Sequence, residues 1–552
     1  MNRTAFRFCA FGFLIGAVIP HLAAQPAIST VTNAASGITS GLPNAGIAQG
    51  GIFVVYGTGL GPTAISVSSA PFQNTTLDGT SVAVTIGGTT VNALMYYTLA
   101  TQVAALLPSD APTGTGTVTV TYNSQTSASV PFTVVANNLG VFTVDSSGGG
   151  AGIVTYPDYS LVSPLKAANC GGPNTTCGAA NSGDTLILWA TGLGPVSGSD
   201  ASGAGLGQNM PNIPLKLWLG GVQASVSYQG RSGCCIGEDQ IVFTVPANVP
   251  TGCAVPLIVQ IGDEISNSTV MPVSSGSRTC PLHNAALAPI GTAQIEQLVS
   301  TGAVTAGSLR LAHYSDGGGT WEDDAKFQFA RSTVPANQAF FVSWLDSPPP
   351  GSCLVYSNLN GGFNDSPITG QTLLDAGSSF TVTGPQGSVN LPVNSGTQSA
   401  FNSTGAFLVP GSYTITGTGG ANVGSFTANV TLPTPSILVS PLNNATVTRS
   451  SGLPVTWTGS SENLLIEVNS CSDGSCNNGA SALCVVPNGA TAFTVPPYIL
   501  DALPAGTSAG LVLSSDSFTS FTATGLNAGI LEAYINDSGF GYGWGSGGFV
   551  LQ

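Results

Sequence analysis

Short apolar or alternating runs, separated by glycine-, proline- and asparagine-rich turns, follow one another along the chain. In the first quarter these runs fall at residues 51–56, 81–86, 93–97, 103–107, 117–122 and 128–135. Their brevity and close spacing predict strands of an all-β sandwich rather than helices. Val118, Val120 and Tyr122 alternate with Thr117, Thr119 and Thr121, the period of a strand with one buried face. Gly87-Gly88 between two such runs predicts a tight hairpin, because glycine accepts the positive φ such turns need. One segment has the helical period instead. Ile295, Leu298 and Val299 are spaced i, i+3, i+4 within residues 292–300, and Gly302 follows as a stop. Further strand patterns lie at 325–331, 339–344, 412–418 and 455–458, and residues 498–503 form a second helical candidate.

The pattern is duplicated. Gly57-Thr58-Gly59-Leu60-Gly61-Pro62 follows the apolar run Ile52-Phe53-Val54-Val55-Tyr56. Thr191-Gly192-Leu193-Gly194-Pro195 follows Leu186-Ile187-Leu188-Trp189 at an offset of 133 residues (191 − 58). Ile86-Gly87-Gly88 returns as Leu219-Gly220-Gly221 at the same offset, and Gln102 returns as Gln240. The second copy carries five extra residues by that point, and they fall at 230–237 around Cys234-Cys235. A repeat of this length is one structural unit used twice.

The elements Gly50-Gly51, Gly57-Thr58-Gly59-Leu60, Ile86-Gly87-Gly88, the run 102–108 and Ser127 resemble those of an IPT/TIG domain. The pair resembles an uncharacterised C-terminal region of secreted Solibacter and other acidobacterial proteins. The resemblance covers residues 27–275. It implies immunoglobulin-like sandwiches and no catalytic residues. The expected fold class is therefore all-β, with several immunoglobulin-like β-sandwich domains in tandem and one short helical connector. The expected division is a signal peptide at 1–24, sandwiches at 25–136 and 137–280, a connector at 281–304, and two further β-sandwich-like domains at 305–434 and 435–552.

Composition narrows the environment. Arg3 and Arg7 precede an apolar stretch at 8–19 that is short for a membrane span, and small residues end at Ala24; this is the pattern of an export signal. No later stretch predicts a transmembrane anchor. Charged residues are only 6% of the chain, so solubility must come from hydroxyl, amide and backbone groups. Of the 10 basic residues two leave with the signal, so 25 acidic residues face 8 basic ones. That balance argues against nucleic acid, whose phosphates need a basic surface. Ten of the 11 cysteines lie beyond the signal, as expected of disulfides in an exported chain. Cys170 and Cys177 bracket one loop and Cys471 and Cys476 another. Cys234, Cys235, Cys253 and Cys280 admit three connectivities, and Cys353 and Cys484 lack an obvious partner. Two mature histidines and no Cys-x-x-Cys pair weigh against zinc.

Four motifs invite chemistry. The Gly-Thr-Gly-Leu-Gly turn follows a strand but leads into no helix, so it lacks the amide cluster that holds a dinucleotide pyrophosphate. Gly506-Thr507-Ser508-Ala509-Gly510 matches G-x-S-x-G but precedes a strand, and no histidine follows it. Asp316 and Glu322-Asp323-Asp324 suggest a calcium loop, or more simply a solvated acidic turn. Phe540, Tyr542 and Trp544 alternate with glycines and would share one strand face, a candidate ligand-binding stripe or a core face. No catalytic residue, metal ligand or cofactor is assigned. The expected function is an exported non-catalytic extracellular protein with an adhesive, surface-structural, or glycan- or protein-binding role. The alternative is a secreted carbohydrate-active enzyme with the tandem as accessory spacer.

Overall fold

The computed structural model describes residues 25–70, 72–164, 177–203, 205–315, 321–333, 347–357, 370–393, 398–403, 407–442, 444–459, 463–472, 478–540 and 548–552. Among these, strands dominate and the only α-helices are Thr292–Ser300 and Pro497–Asp501. The protein is all-β, a series of packed β-sheets with a short helical connector at the expected place. No helix among the described residues is long and apolar enough to cross a membrane.

In the first module one sheet runs in the order Ala27–Asn33, Ile52–Thr58, Gln102–Leu106, Leu94–Leu99, Ser66–Val67. The facing sheet is built on Val130–Val135, Gly114–Tyr122 and Thr80–Ile86. Alternation along each strand sends Phe53, Val55, Val82, Val84, Val103, Val118, Val120 and Phe132 into the shared core. Gly87 and Gly88 have φ of +56° and +84° and turn directly between Ile86 and Thr89, the expected two-residue hairpin. Gly220 and Gly221 repeat it at +56° and +82°.

The second module repeats these elements with one change. Its ten-residue strand Val222–Arg231 is continuous, where the first module breaks into Thr89–Asn92 and Leu94–Leu99. That strand pairs with Leu215–Leu219 on one side and Asp239–Thr244 on the other. The two layers are thereby stitched into one ten-stranded sheet.

In the C-terminal half an eleven-stranded sheet draws strands from both sides of residue 434. Ala303–Ser315 lies parallel to Ala528–Phe540, and Cys353–Ser357 pairs with Gly479–Val485. The sixteen-residue strand Gly506–Phe521 serves two cores. Leu511 and Leu513 pack with Leu453, Trp457, Ile466 and Phe549. Phe521, farther along the same face, packs with Phe327, Phe329, Phe380 and Phe426.

The second module is docked on this half. Ile258 and Ile265 join the cluster of Ile499, Leu500 and Leu503, and the Trp218 ring stacks on Tyr498 with centroids 4.6 Å apart and planes 6° apart. Burial pushes the Tyr498 phenol up to about 12. Strand Thr269–Ser274 is buried on both faces, with Met271 and Val273 in the module's core and Val270 beside Leu354 of the C-terminal half. Tyr498→Ala removes a buried ring at this junction, a change worth about 3–5 kcal/mol in a packed core. The expected result is a lower thermal midpoint with a red-shifted, more quenchable Trp218 emission, read by tryptophan fluorescence against Trp218→Phe.

Candidate functional site

The repeated glycine turn is a packing device. Leu60 and Leu193, at its centre, are fully buried. A Cβ on Gly192 would stand 2.2 Å from the Asn138 carbonyl oxygen, and Gly192 itself has φ +99°. A Cβ on Gly57 would stand 2.0 Å from the Ala27 carbonyl oxygen. The turn closes against backbone and leaves no room for a phosphate.

The second copy of the turn lies at the contact between the two modules. Ile52 N donates to Thr191 Oγ1 at 2.8 Å, and Thr191 Oγ1 donates to the Gly237 carbonyl at 2.7 Å. Asn33 Nδ2 donates to the Asn138 carbonyl at 3.1 Å. Ser109 N and Oγ donate to the Asp200 carboxylate at 2.7 and 3.1 Å.

At the centre stands Arg231, 1% exposed. Its guanidinium pairs with the buried Asp239 carboxylate and donates to Gly50 O in the first module at 2.7 Å and Gly194 O in the second at 2.8 Å. Asp239 Oδ2 also accepts from Leu193 N at 2.7 Å. One cation thus satisfies carbonyls from both modules. Gly50 must lack a side chain, because its Cβ would lie 2.2 Å from Arg231 Nη2. Its counterpart one repeat later, Gly183, faces open space.

The residues that distinguish the second module make this contact. Within 230–237, Cys234 is bonded to Cys235, and Ser232 Oγ accepts from both of their backbone N–H groups. The next residue, Ile236, enters an apolar pocket of Ile52, Leu94 and Leu106, and Tyr96 donates its hydroxyl to the Ile236 carbonyl. Burial raises the Tyr96 pKa. Cys234, Cys235 and Glu238 place potential ligand atoms within 4.8 Å of one another. The two sulfurs are joined to each other, so the trio offers a cation one carboxylate.

Cys253–Cys280 and Cys353–Cys484 are the other described bridges. The pairing of Cys353 with Cys484 follows from their being direct cross-strand neighbours. Cys177 and Cys471 are disulfide-bonded; Cys170 and Cys476 lie outside the described residues, as do Tyr542, Trp544 and Asp316. Phe540 ends the strand Ala528–Phe540.

The acidic run is not a turn. Glu322, Asp323 and Asp324 lie in the strand Trp321–Thr333, whose alternation divides them between two faces. Asp323 is fully buried, bonded to His313 Nδ1 at 2.7 Å, and accepts from Phe407 N and Leu408 N. Asp324 pairs with Arg310 at 2.8 Å, and Glu322 accepts from the Tyr314 hydroxyl at 2.8 Å. All three partners come from the adjacent strand Ala303–Ser315. Three separately committed carboxylates cannot converge on one calcium ion. Gly506-Thr507-Ser508-Ala509-Gly510 begins the strand Gly506–Phe521, so the elbow geometry of a serine hydrolase is absent there.

A cleft of 320 Å³ opens beside the modules' junction, with Ser40, Asn44, Phe132, Asn138 and Glu264 among its lining residues. Asn44 and Asn138 spend their amide N–H groups on the carbonyls of Ile265 and of Asn44 itself. Glu264 is the one carboxylate among the cleft's described lining residues.

The sequence matches no known family model and no curated protein. Among solved structures, similarity is found to Bacteroides ovatus mixed-linkage glucan utilization locus SGBP-B in complex with a mixed-linkage heptasaccharide. Identity is 14%, over 79% of this chain and 85% of that one, with a TM-score of 0.12. Domains 5–6 of the S-layer protein SbsC give 14% identity over 46% of this chain and all of that one, TM-score 0.15. The FN1–FN3 domains of chicken CNTN1 give 8% identity over 63% and 94%, TM-score 0.16.

Two expectations follow. Ala at Gly183 meets only the left-handed backbone penalty of about 1–2 kcal/mol, whereas Ala at Gly50 must also displace the Arg231 guanidinium. Gly50→Ala should lower the thermal midpoint by clearly more than Gly183→Ala, measured by calorimetry.

The second concerns pH. Burial raises the pKa of Asp516 and of Glu532, with Arg310 holding Glu532 partly back; burial raises Glu238, Glu264 and Glu467 as well. A carboxyl whose pKa is higher folded than unfolded holds its proton more tightly in the native state. Its stabilising contribution is fully present below the ordinary value of ~4 and is lost as pH rises through the raised folded value. The thermal midpoint should therefore be higher at pH 5 than at pH 7.5, and Asp516→Asn should shrink that difference.

Proposed function

We propose that this chain is an exported, non-catalytic extracellular protein in which an IPT/TIG-like tandem, of the kind found in secreted acidobacterial proteins, and a C-terminal pair of sandwiches form one rigid body that presents a binding surface. Its class of partner is a glycan or another extracellular protein.

The observation that carries this reading is the buried Arg231 contact. Arg231, Asp239, Gly50 and Gly194 form a polar junction between the two repeats with almost no exposure. A flexible spacer has no use for such a junction, since a buried ion pair sets geometry more than it adds stability. Three described bridges lend further support, because structural disulfides persist where the surroundings are oxidising. So does the excess of acidic over basic residues, which suits a neutral partner better than a polyanion. The reading as a carbohydrate-active enzyme has less behind it. Among the described residues, the carboxylates of the C-terminal half that the sequence singled out are each bound to a neighbouring strand, and Asp516 is buried.

The test is expression of residues 1–552 in a bacterium with an oxidising periplasm, followed by fractionation, N-terminal sequencing and non-reducing peptide mapping. The expected product begins near Gln25, lies outside the cytoplasm, and contains the peptides joined as Cys253–Cys280 and Cys353–Cys484. It should release no reducing ends from polysaccharides. A cytoplasmic product that starts at Met1 with free thiols, or turnover of a polysaccharide, contradicts the proposal.

A further inference from the structure

The duplication extends to a pair of side chains on the outer face of each module. In the first, Phe53 and Val55 point into the core, so Tyr56 points out, and it is 39% exposed. Directly across the ladder from Tyr56 is Gln102, whose neighbours Val103 and Ala105 are likewise in the core. In the second module Leu186, Leu188 and Ala190 are core residues, and Trp189 points out between them. Directly across from Trp189 is Gln240, half-buried, beside the core residues Ile241 and Phe243. Strand alternation therefore puts an aromatic ring and an amide side by side on the outer face, at the same ladder position, twice.

Each pair has a second aromatic beside it. Tyr97 donates its hydroxyl to Gln102 Oε1 at 3.4 Å. Burial raises the pKa of both Tyr56 and Tyr97, and the Tyr56 phenol adds to the rise at Tyr97. In the second module Tyr159 is 67% exposed, with its ring 6.1 Å from that of Trp189. Trp189 has its indole N–H fixed on Thr155 Oγ1 at 3.0 Å, which holds the ring in place.

We infer that these are two equivalent binding sites for a neutral glycan, one per module, with Tyr56 and Trp189 as stacking platforms and Gln102 and Gln240 as hydrogen-bonding partners. This deepens the proposed binding role and rests on it. The chemistry selects the ligand class. A sugar ring has an apolar C–H face that lies on an aromatic ring and a rim of hydroxyls that an amide both donates to and accepts from. None of the six side chains is charged, and the chain is strongly acidic overall, which disfavours a polyanion. A polymer of repeating sugars suits a repeated site. Thr191 and Ile52 join the two strands by a hydrogen bond, so the backbone path from Tyr56 to Trp189 is about 25 Å. That path is an upper bound on the distance between the sites, the buried junction holds the distance constant, and two rigidly spaced sites on one chain bind a polymer more tightly than either alone.

The experiment is affinity electrophoresis of the full chain in gels containing a soluble β-glucan, a xylan, a mannan or dextran, with polygalacturonate as the anionic comparison. Wild type should be retarded by at least one neutral polysaccharide. Tyr56→Ala and Trp189→Ala should each weaken that retardation by about tenfold, and the double variant should abolish it. Gln102→Ala should weaken it with both rings in place. Thermal midpoints within a degree or two of wild type confirm that the variants fold. Retardation of the double variant like that of wild type overturns these sites while leaving a glycan-binding role elsewhere in the chain. No retardation of wild type by any neutral polysaccharide, or retardation by polygalacturonate alone, overturns the glycan assignment itself while leaving export and the rigid junction intact.

Discussion

The architecture of the N-terminal half depends on one buried cation. A guanidinium with 1% exposure is costly to remove from water unless its donors are met, and Arg231 meets those of Nη1 and Nη2 with a carboxylate and two carbonyls, leaving Nε without a partner among the described residues. Because the carbonyls belong to different modules, neither module can satisfy the arginine alone. Separating the modules would take the Gly50 carbonyl from Arg231 and expose the pocket around Ile236. The constraint reaches into the sequence. Gly50 is a glycine where the guanidinium passes, and the segment 230–237, within which the second repeat carries its five extra residues, brings Arg231, the Cys234–Cys235 bridge and Ile236 to the contact.

From that junction the order of assembly in space follows. The second module holds the first through 230–239 and holds the C-terminal half through Trp218, Ile258 and Ile265. Cys253–Cys280 ties the strand Gly252–Ile261 to the connector that leads into the helix Thr292–Ser300. In the C-terminal half the long strand Gly506–Phe521 couples two cores, because residues on one face of a single strand enter both.

Much of this was legible in local pattern. The period-2 alternation of residues 117–122 identified a buried face, and the glycine pairs at 87–88 and 220–221 identified hairpins, because both signals are set by neighbours in sequence. Partner choice is not local. Alternation says which face of a strand is buried but not which strand lies beside it, so the sharing of one sheet across residue 434 left no mark in the pattern. The acidic run 322–324 looked like a turn because carboxylates are costly on a strand. It is a strand because Arg310, His313 and Tyr314 supply a partner to each. Arg231 carried a signal that composition alone obscured. A lone arginine beside an inserted cysteine pair, in a chain with 10 basic residues, is unlike the hydroxyl-rich loops around it. The two-sided burial of the second module was also present in the sequence. Cys253-Ala254-Val255-Pro256-Leu257-Ile258-Val259 is apolar without alternation, the mark of a strand covered on both faces.

The central claim is that Arg231 makes the two repeats one cooperative body. Amide hydrogen exchange on the full chain tests it directly by comparing wild type with Arg231→Met. Loss of the guanidinium should speed exchange on both sides of the junction, around Gly50–Ile52 and Ser109 in the first module and Leu193 and Gly237–Asp239 in the second. The C-terminal strands Gly411–Gly417 and Phe426–Leu432 should be unchanged. Faster exchange confined to residues near 231 in the second module, with the first module as protected as in wild type, would contradict the account.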